Sequence, residues 1–176
     1  MMSSRSVRLP MSANSIAPIT NMTAAHQWCL FSCAEAVTGL VATVGRHGLS
    51  LPAAERRYGV VGFCWGGTAA FTSAVMTPAG QGAAVVFQGS SPATSSLASV
   101  EIPVLGLYGG EEARVGATVP PAASAVKALG KRFEHRTFAG AGHGFMRQEG
   151  QGGSNLTAAR RAWPSAIAFL RSTLGR

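Results

Sequence analysis

The chain has 176 residues, 47% of them hydrophobic, which is enough for one domain with a packed core. Its formal net charge is +8, but the thirteen Arg and two Lys are scattered along the chain rather than clustered with aromatic residues, which disfavours nucleic-acid binding. No stretch approaches the roughly 20 apolar residues of a membrane-spanning helix, so we expect a soluble protein with neither nucleic acid nor a membrane as partner.

The beginning of the chain lacks the pattern of a folded element. Residues 1–22 show no sustained period and are expected to be a disordered tail. The first acidic residue is Glu35, and a Ser/Arg-rich, acid-free start is also typical of an organelle transit peptide. Only two arginines precede Glu35, so a disordered tail is preferred to a transit peptide. The expected compartment is therefore the cytoplasm, and a transit peptide over residues 1–34 is the alternative.

The three cysteines are an odd number, which argues against a disulfide framework and for a reducing compartment. Cys29 and Cys33 stand four residues apart without a nearby histidine pair, so we interpret them as small buried hydrophobes rather than metal ligands. No metal or other cofactor is expected.

The first predicted element is a helix. Apolar positions recur near helical spacing from about Thr23 to Val44. Gly45 and Gly48 follow and are expected to end the helix, which leaves His47 in a surface loop.

After residue 57, short apolar runs alternate with helical patterns, and residues 23–176 are expected to form a single domain. Nearly all-apolar strands that alternate with helices indicate a parallel sheet covered on both faces, an α/β fold. Pro164 lies inside the last helix and is expected to kink or break it. The predicted strands are 58–63, 83–87, 102–108 and 133–138, and the predicted helices are 68–76, 118–129 and about 154–174.

The motif that points to chemistry is Gly-Phe-Cys-Trp-Gly at residues 62–66, a G-x-C-x-G pattern between a predicted strand and a predicted helix. In that context Cys64 is expected to be a nucleophile on a strained turn, with Gly62 and Gly66 allowing the strand and the helix to approach closely. The helix N-terminus favours a thiolate, and the backbone N–H of the following residue, Trp65, points at a developing oxyanion.

A thiolate nucleophile needs a base and a group that orients the base. His143 lies in a glycine-flanked loop after the fourth predicted strand, which suits the base. The acid is expected in the loop after the third strand, where either Glu111 or Glu112 could serve. His135 lies within a strand and is interpreted as a partly exposed strand residue.

Three segments together resemble the dienelactone hydrolase family of the α/β-hydrolase superfamily: residues 59–67, 103–110 and 141–147. The final helix is also similar, and the resemblance covers roughly residues 57–174. It implies an α/β-hydrolase fold and cleavage of an ester or lactone of a small carboxylate-bearing substrate through a thioester. It further implies the following roles: Cys64 as nucleophile, His143 as base, Glu112 as the acid where the family usually has Asp, the Trp65 N–H as oxyanion donor and Arg147 as the substrate-binding arginine.

The resemblance also implies further strands before residue 57, which residues 1–56 do not match, so the fold is expected to be truncated before the nucleophile strand. One alternative is therefore a catalytically impaired fragment that acts as a binding module, and a homodimer is one way of covering the open sheet edge. A glutamine amidotransferase-like domain is a weaker alternative, because Gly144 and Phe145 follow His143 where that class has a glutamate two residues on.

Overall fold

The computed structural model describes residues 22–148, 150 and 152–175, and side chains from residue 36 onward. Residues 1–21 of the predicted tail (1–22) and of the alternative transit peptide (1–34) lie outside the described residues, as do the side chains of Cys29 and Cys33, whereas residues from Met22 onward form the first helix. In chain order the described elements are α1 (Met22–Ser50), β1 (Tyr58–Phe63), α2 (Trp65–Met76), β2 (Gln81–Phe87), a 3-10 helix (Thr94–Ser99), β3 (Val104–Gly109), α3 (Ala113–Gly116), α4 (Val119–Ala128), β4 (Phe133–Phe138) and α5 (Gly153–Leu174).

The four described strands form one parallel sheet in the order β1-β2-β3-β4. The inner strands β2 and β3 are buried along their whole length, because successive side chains point alternately into two cores. Val86 and its alternate neighbours pack against α2 and α4, whereas Val85 and Phe87 pack against α5. The α/β fold predicted from the sequence is therefore confirmed.

Helix α1 is longer than predicted, since it continues through both glycines to Ser50 and includes the exposed His47 in its last turn. Gly45 lies against the ring of Tyr58, and a Cβ atom there would collide with that ring. The prediction that Gly45 ends the helix is wrong, because this glycine serves a close approach between α1 and β1 rather than a helix end.

Of the kink or break predicted at Pro164, the break is absent, because α5 is one continuous helix from Gly153 to Leu174, and the kink stays a prediction. A proline at this position removes the donor for the carbonyl of Arg160, four residues earlier. Arg160 and Pro164 are both exposed, so water can satisfy that carbonyl and the helix continues.

Strands β1 and β4 are the two edges of the described sheet, and the edge position of β1 was predicted from the sequence. The N–H of Tyr58 donates to Gly80 O and that of Cys64 to Phe87 O, so the polar groups of the alternate residues 59, 61 and 63 face away from β2. Val61 and Phe63 are 36% and 44% exposed, unlike any apolar side chain of β2 or β3. None of the described helices combines the length and the apolarity that crossing a bilayer requires.

Candidate active site

Cys64 occupies a sharp turn between β1 and α2. Its φ of 55° and ψ of −119° lie in a backbone region that residues other than glycine rarely adopt. This conformation costs about 1–3 kcal/mol. The turn is held from both sides, because the Cys64 N–H donates to Phe87 O at 2.8 Å and its carbonyl accepts from Gly67 N at 3.0 Å. The thiol is exposed at the start of α2.

The glycines around Cys64 do not all serve the close approach expected of them. A Cβ atom at Gly62 would collide with the carbonyl oxygen of Gly66, so the turn requires glycine at residue 62. A Cβ at Gly66 would meet nothing within 4 Å, so the expectation that residue 66 must be glycine for close packing is wrong. The second close approach is made by Gly67 instead, where a Cβ would lie 2.6 Å from Phe87 O on the neighbouring strand.

His143 and Glu112 meet at the carboxyl ends of the strands. The Nδ1 atom of His143 lies 2.9 Å from Oε2 of Glu112. This is hydrogen-bond distance, but the Nδ1–H direction misses the carboxylate, so the contact lacks hydrogen-bond alignment. Such pairs in unliganded sites are often misaligned and tighten when a substrate binds. Glu111 is exposed at its side chain, and its backbone N–H donates to Ala141 O at 3.0 Å.

The second carboxylate oxygen of Glu112 is fixed by its own chain. Oε1 accepts a hydrogen bond from Val115 N at 3.3 Å, so Glu112 is the N-cap of the one-turn helix α3. The Nε atom of Arg114 lies 3.9 Å from the same oxygen. The segment predicted as a loop therefore contains a short helix, and its cap holds the carboxylate that faces His143.

The loop that carries His143 is anchored by an aromatic side chain. Phe145 is fully buried, with its ring centroid 5.7 Å from that of Phe138 and 6.4 Å from that of Phe87. The loop is also held by Gln88, a residue to which the sequence assigned no role because it directly follows a buried apolar strand. Its amide donates to Gly142 O, next to His143.

Trp65 and Arg147 complete the predicted set. Trp65 is the first residue of α2, where no preceding helical carbonyl is available to its N–H. Arg147 lies four residues after His143 with an exposed side chain, and it has no acidic partner within the described chain. His135 lies inside β4, exposed and stacked on Phe133 at 5.7 Å, as interpreted from the sequence.

The predicted residues converge by topology. Cys64 follows β1, Glu112 lies three residues after β3 and His143 lies five residues after β4. Since the strands are parallel, their carboxyl ends meet at one edge of the sheet, where ligands of open α/β sheets bind. Glu112 and His143 are in direct contact there.

No group of three or more His, Cys, Asp or Glu side chains is arranged to hold a metal ion among the residues that could be placed. A groove of about 700 Å³ lies between the end of β4 and the start of α5, and none of the predicted site residues lines it.

Known structures with the same architecture define the class of fold. The esterase PE8 superposes with a TM-score of 0.64 and 21% identity, over 82% of this chain and 64% of that one. A crystal structure named "Putative Dienelactone Hydrolase", from Klebsiella pneumoniae, gives 0.59 and 25% identity over 74% and 57% of the two chains. The sheet and its helices are thus those of an α/β-hydrolase, beginning at the strand that leads to Cys64.

The chain belongs to the dienelactone hydrolase family, whose model matches residues 27–174. The match begins within α1, earlier than the resemblance from residue 57 that the motifs indicated. A protein of Saccharolobus solfataricus named "Putative carboxymethylenebutenolidase" is 35% identical over 112 residues, which are 63% of this chain and 42% of that protein. A protein of the same name from Methylorubrum extorquens is 35% identical over 100 residues, 34% of its length. The chain therefore spans less than half the length of these curated relatives.

Proposed function

We propose that this chain is a hydrolase that cleaves an ester or lactone of a small carboxylate-bearing substrate through a thioester on Cys64. The observation that carries the proposal is the exposed thiol of Cys64 on a strand–helix turn with a positive φ. This turn lies at the same sheet edge as the contact between His143 and Glu112. Membership in the dienelactone hydrolase family supports the same chemistry.

Acylation is the first half of the proposed reaction. The thiol proton of Cys64 passes to Nε2 of His143, and the thiolate attacks the carbonyl carbon of the substrate. The carboxylate of Glu112, at Nδ1, stabilises the imidazolium that forms. The N–H of Trp65 donates to the tetrahedral oxyanion. The C–O bond then breaks, the leaving oxygen takes the proton from Nε2, and the acyl group remains on Cys64 as a thioester.

Deacylation is the second half. Water gives a proton to Nε2 of His143 and attacks the thioester carbonyl. The C–S bond breaks and the proton returns to the sulfur, so the acid is released and Cys64 is regenerated. Arg147, a cation without an acidic partner in the described chain, is proposed to bind the substrate carboxylate.

The proposal is tested by intact-mass spectrometry. The chain is mixed with an activated p-nitrophenyl ester or an electrophilic lactone, quenched in acid and digested to locate the adduct. We expect an acyl mass increase on the peptide that contains Cys64, and none in a Cys64→Ala variant. Turnover that persists in Cys64→Ala would overturn the proposal.

A binding module without turnover is the second candidate, and the open edge at β1 favours it. Trp65 is the one oxyanion donor that we assign, and loss of a single donor costs about 10²- to 10³-fold in turnover. Binding of a carboxylate ester without a Cys64 adduct would support this candidate over the hydrolase.

The proposed compartment is the cytoplasm, because a thiol nucleophile must stay reduced to act. A small ester or lactone is the proposed partner, and a second copy of the chain is the proposed cover for the β1 edge.

A further inference from the structure

Gly142, the residue before His143, is held at both of its backbone polar groups by side-chain amides. Gly142 N–H donates to Oδ1 of Asn155 at 3.0 Å, and Gly142 carbonyl accepts from Nε2 of Gln88 at 2.8 Å. Asn155 comes from the first turn of α5, whereas Gln88 directly follows β2. Two elements far apart in sequence therefore fix the two peptide groups on either side of Gly142.

The amide of Gln88 joins three segments of the site. Its Nε2 reaches Gly142, and its Oε1 accepts from the N–H of Gly109, the last residue of β3, at 2.9 Å. The backbone N–H of Gln88 donates to Leu107 O at 3.0 Å, so the residue is bound by main chain and side chain together. The segments meet so closely that a Cβ atom at Gly109 would lie 2.8 Å from the Gln88 amide nitrogen.

Gln88 is an unusual residue for its position. It is 3% exposed, and its φ of 56° is in the left-handed region. A buried side-chain amide is unfavourable unless both its N–H and its C=O groups find hydrogen-bond partners. A residue other than glycine keeps a positive φ only when its contacts hold the backbone in that conformation. Glycine would adopt this backbone conformation more readily, so the hydrogen bonds of the side chain are the reason for glutamine at this position.

We infer that Gln88 and Asn155 are positioning residues that act through the backbone of Gly142 to aim the imidazole of His143 at Cys64 and Glu112. The amide of Asn155 also donates to Oε1 of Gln148 at 3.2 Å, five residues after His143, so it ties both ends of the loop to α5. The inference rests on the proposed function, because it assigns these amides a task in that reaction.

A matched control exists at the other end of β2. Gln81 begins β2, is 6% exposed and donates from Nε2 to Ser73 Oγ at 3.0 Å, at the end of the strand away from the site. Gln81 is the first residue of β2 and Gln88 directly follows its last, so Gln88→Met and Gln81→Met each remove a buried amide of the same size from opposite ends of one strand. Both are expected to lower the melting temperature, but only Gln88→Met alters the loop that carries His143.

The kinetic test measures kcat and KM for a p-nitrophenyl ester in the full chain. We expect Gln88→Met and Asn155→Leu to lower kcat about 10- to 100-fold with KM nearly unchanged, since a displaced base slows the chemical step. Asn155→Asp keeps the oxygen that accepts from Gly142 and is expected to recover part of the loss seen in Asn155→Leu. Gln81→Met is expected to keep the wild-type kcat. Equal losses of kcat in Gln88→Met and Gln81→Met would overturn the inference.

A second measurement does not depend on turnover. Histidine is labelled with ¹⁵N, and the ring signals of His143 are assigned by their loss in His143→Asn. We expect one ring environment in the wild type and in Gln81→Met, and broadened or doubled signals in Gln88→Met. An inactive wild type with this pattern would refute the hydrolase but keep the positioning role, whereas unchanged His143 signals in Gln88→Met would refute the positioning role itself.

Discussion

Nδ1 of His143 lies 2.9 Å from Oε2 of Glu112, while Glu111, the adjacent glutamate, turns its side chain to solvent. The first prediction separates the two acids. Glu112→Gln keeps an oxygen that can accept from Val115 N, so the cap of α3 survives and only the charge beside the imidazole is lost. We expect turnover to fall by about 10²- to 10⁴-fold, because the imidazolium is no longer stabilised.

Glu111→Gln is the control for that prediction, since it removes the same charge one residue away and leaves the backbone hydrogen bond to Ala141 in place. Its steady-state kinetics are expected to match the wild type. A large loss in Glu111→Gln with normal turnover in Glu112→Gln would mean that the acid is misassigned.

The second prediction concerns thiol reactivity. Cys64 is exposed at the start of α2, whereas the sequence predicts that Cys29 and Cys33 are buried, so iodoacetamide is expected to alkylate Cys64 first. Peptide mass mapping over a time course measures the three rates. Equal rates at all three thiols in the folded chain would contradict the prediction.

The same nucleophile assignment predicts that Cys64→Ser loses most or all hydrolysis. A serine hydroxyl ionises far less readily than a thiol and needs a stronger base than a misaligned His143–Glu112 pair supplies. The Cys29→Ser and Cys33→Ser variants are the matched controls, and both are expected to keep wild-type rates.

The third prediction compares two glycines of the elbow. A Cβ atom at Gly62 would collide with the backbone of Gly66, so Gly62→Ala is expected to destabilise the fold by at least about 1–3 kcal/mol. A Cβ at Gly66 meets open space within α2, so Gly66→Ala is expected to be neutral or stabilising by up to about 1 kcal/mol. Urea denaturation measures both. A Gly62→Ala variant as stable as Gly66→Ala would show that the turn can relax.

These two glycines also show what the sequence could and could not predict. Apolar runs punctuated by glycine and proline were enough to place the strands and to predict that they are parallel, because burial on both faces leaves a strong pattern. The pattern G-x-C-x-G located the elbow, but it could not tell that Gly67 rather than Gly66 touches β2, since that contact depends on the packing of α2.

Two residues of types that commonly end helices do not end them here. Gly45 looked like a helix end, but it packs on Tyr58, which follows in the next strand, and Pro164 looked like a break but faces solvent. At Gly45, packing against Tyr58 overrides the tendency of glycine to end a helix. At Pro164, water can reach the carbonyl that has lost its donor, so the helix continues. Gln88 gave no signal at all, because a polar residue after an apolar strand is indistinguishable from the start of a loop.

The fourth prediction concerns recognition of the substrate carboxylate. Arg147 is an exposed cation four residues after His143, with no acidic partner in the described part of the chain. Arg147→Gln is expected to raise KM for an ester that bears a carboxylate by about 10-fold, which is the scale of one charge-assisted hydrogen bond. The KM for an uncharged ester should not change. Arg160→Gln, at an exposed position of α5, is the control, and an equal rise in KM there would indicate general attraction by the net charge.

The fifth prediction concerns the open edge at β1. The N–H and C=O groups of residues 59, 61 and 63 face outward, and a second copy of the chain offers the same groups about a twofold axis, so two edges can pair antiparallel. Val61 and Phe63 would lose their exposure in such a pair.

Size-exclusion chromatography with light scattering is expected to give the mass of a dimer, and Val61→Lys is expected to shift it to a monomer, because a charged edge disfavours pairing. Val61→Thr, which keeps the β-branched shape without charge, should remain dimeric. A wild-type monomer over a wide concentration range would mean that other residues of the protein cover this edge, and would favour a more complete oxyanion hole.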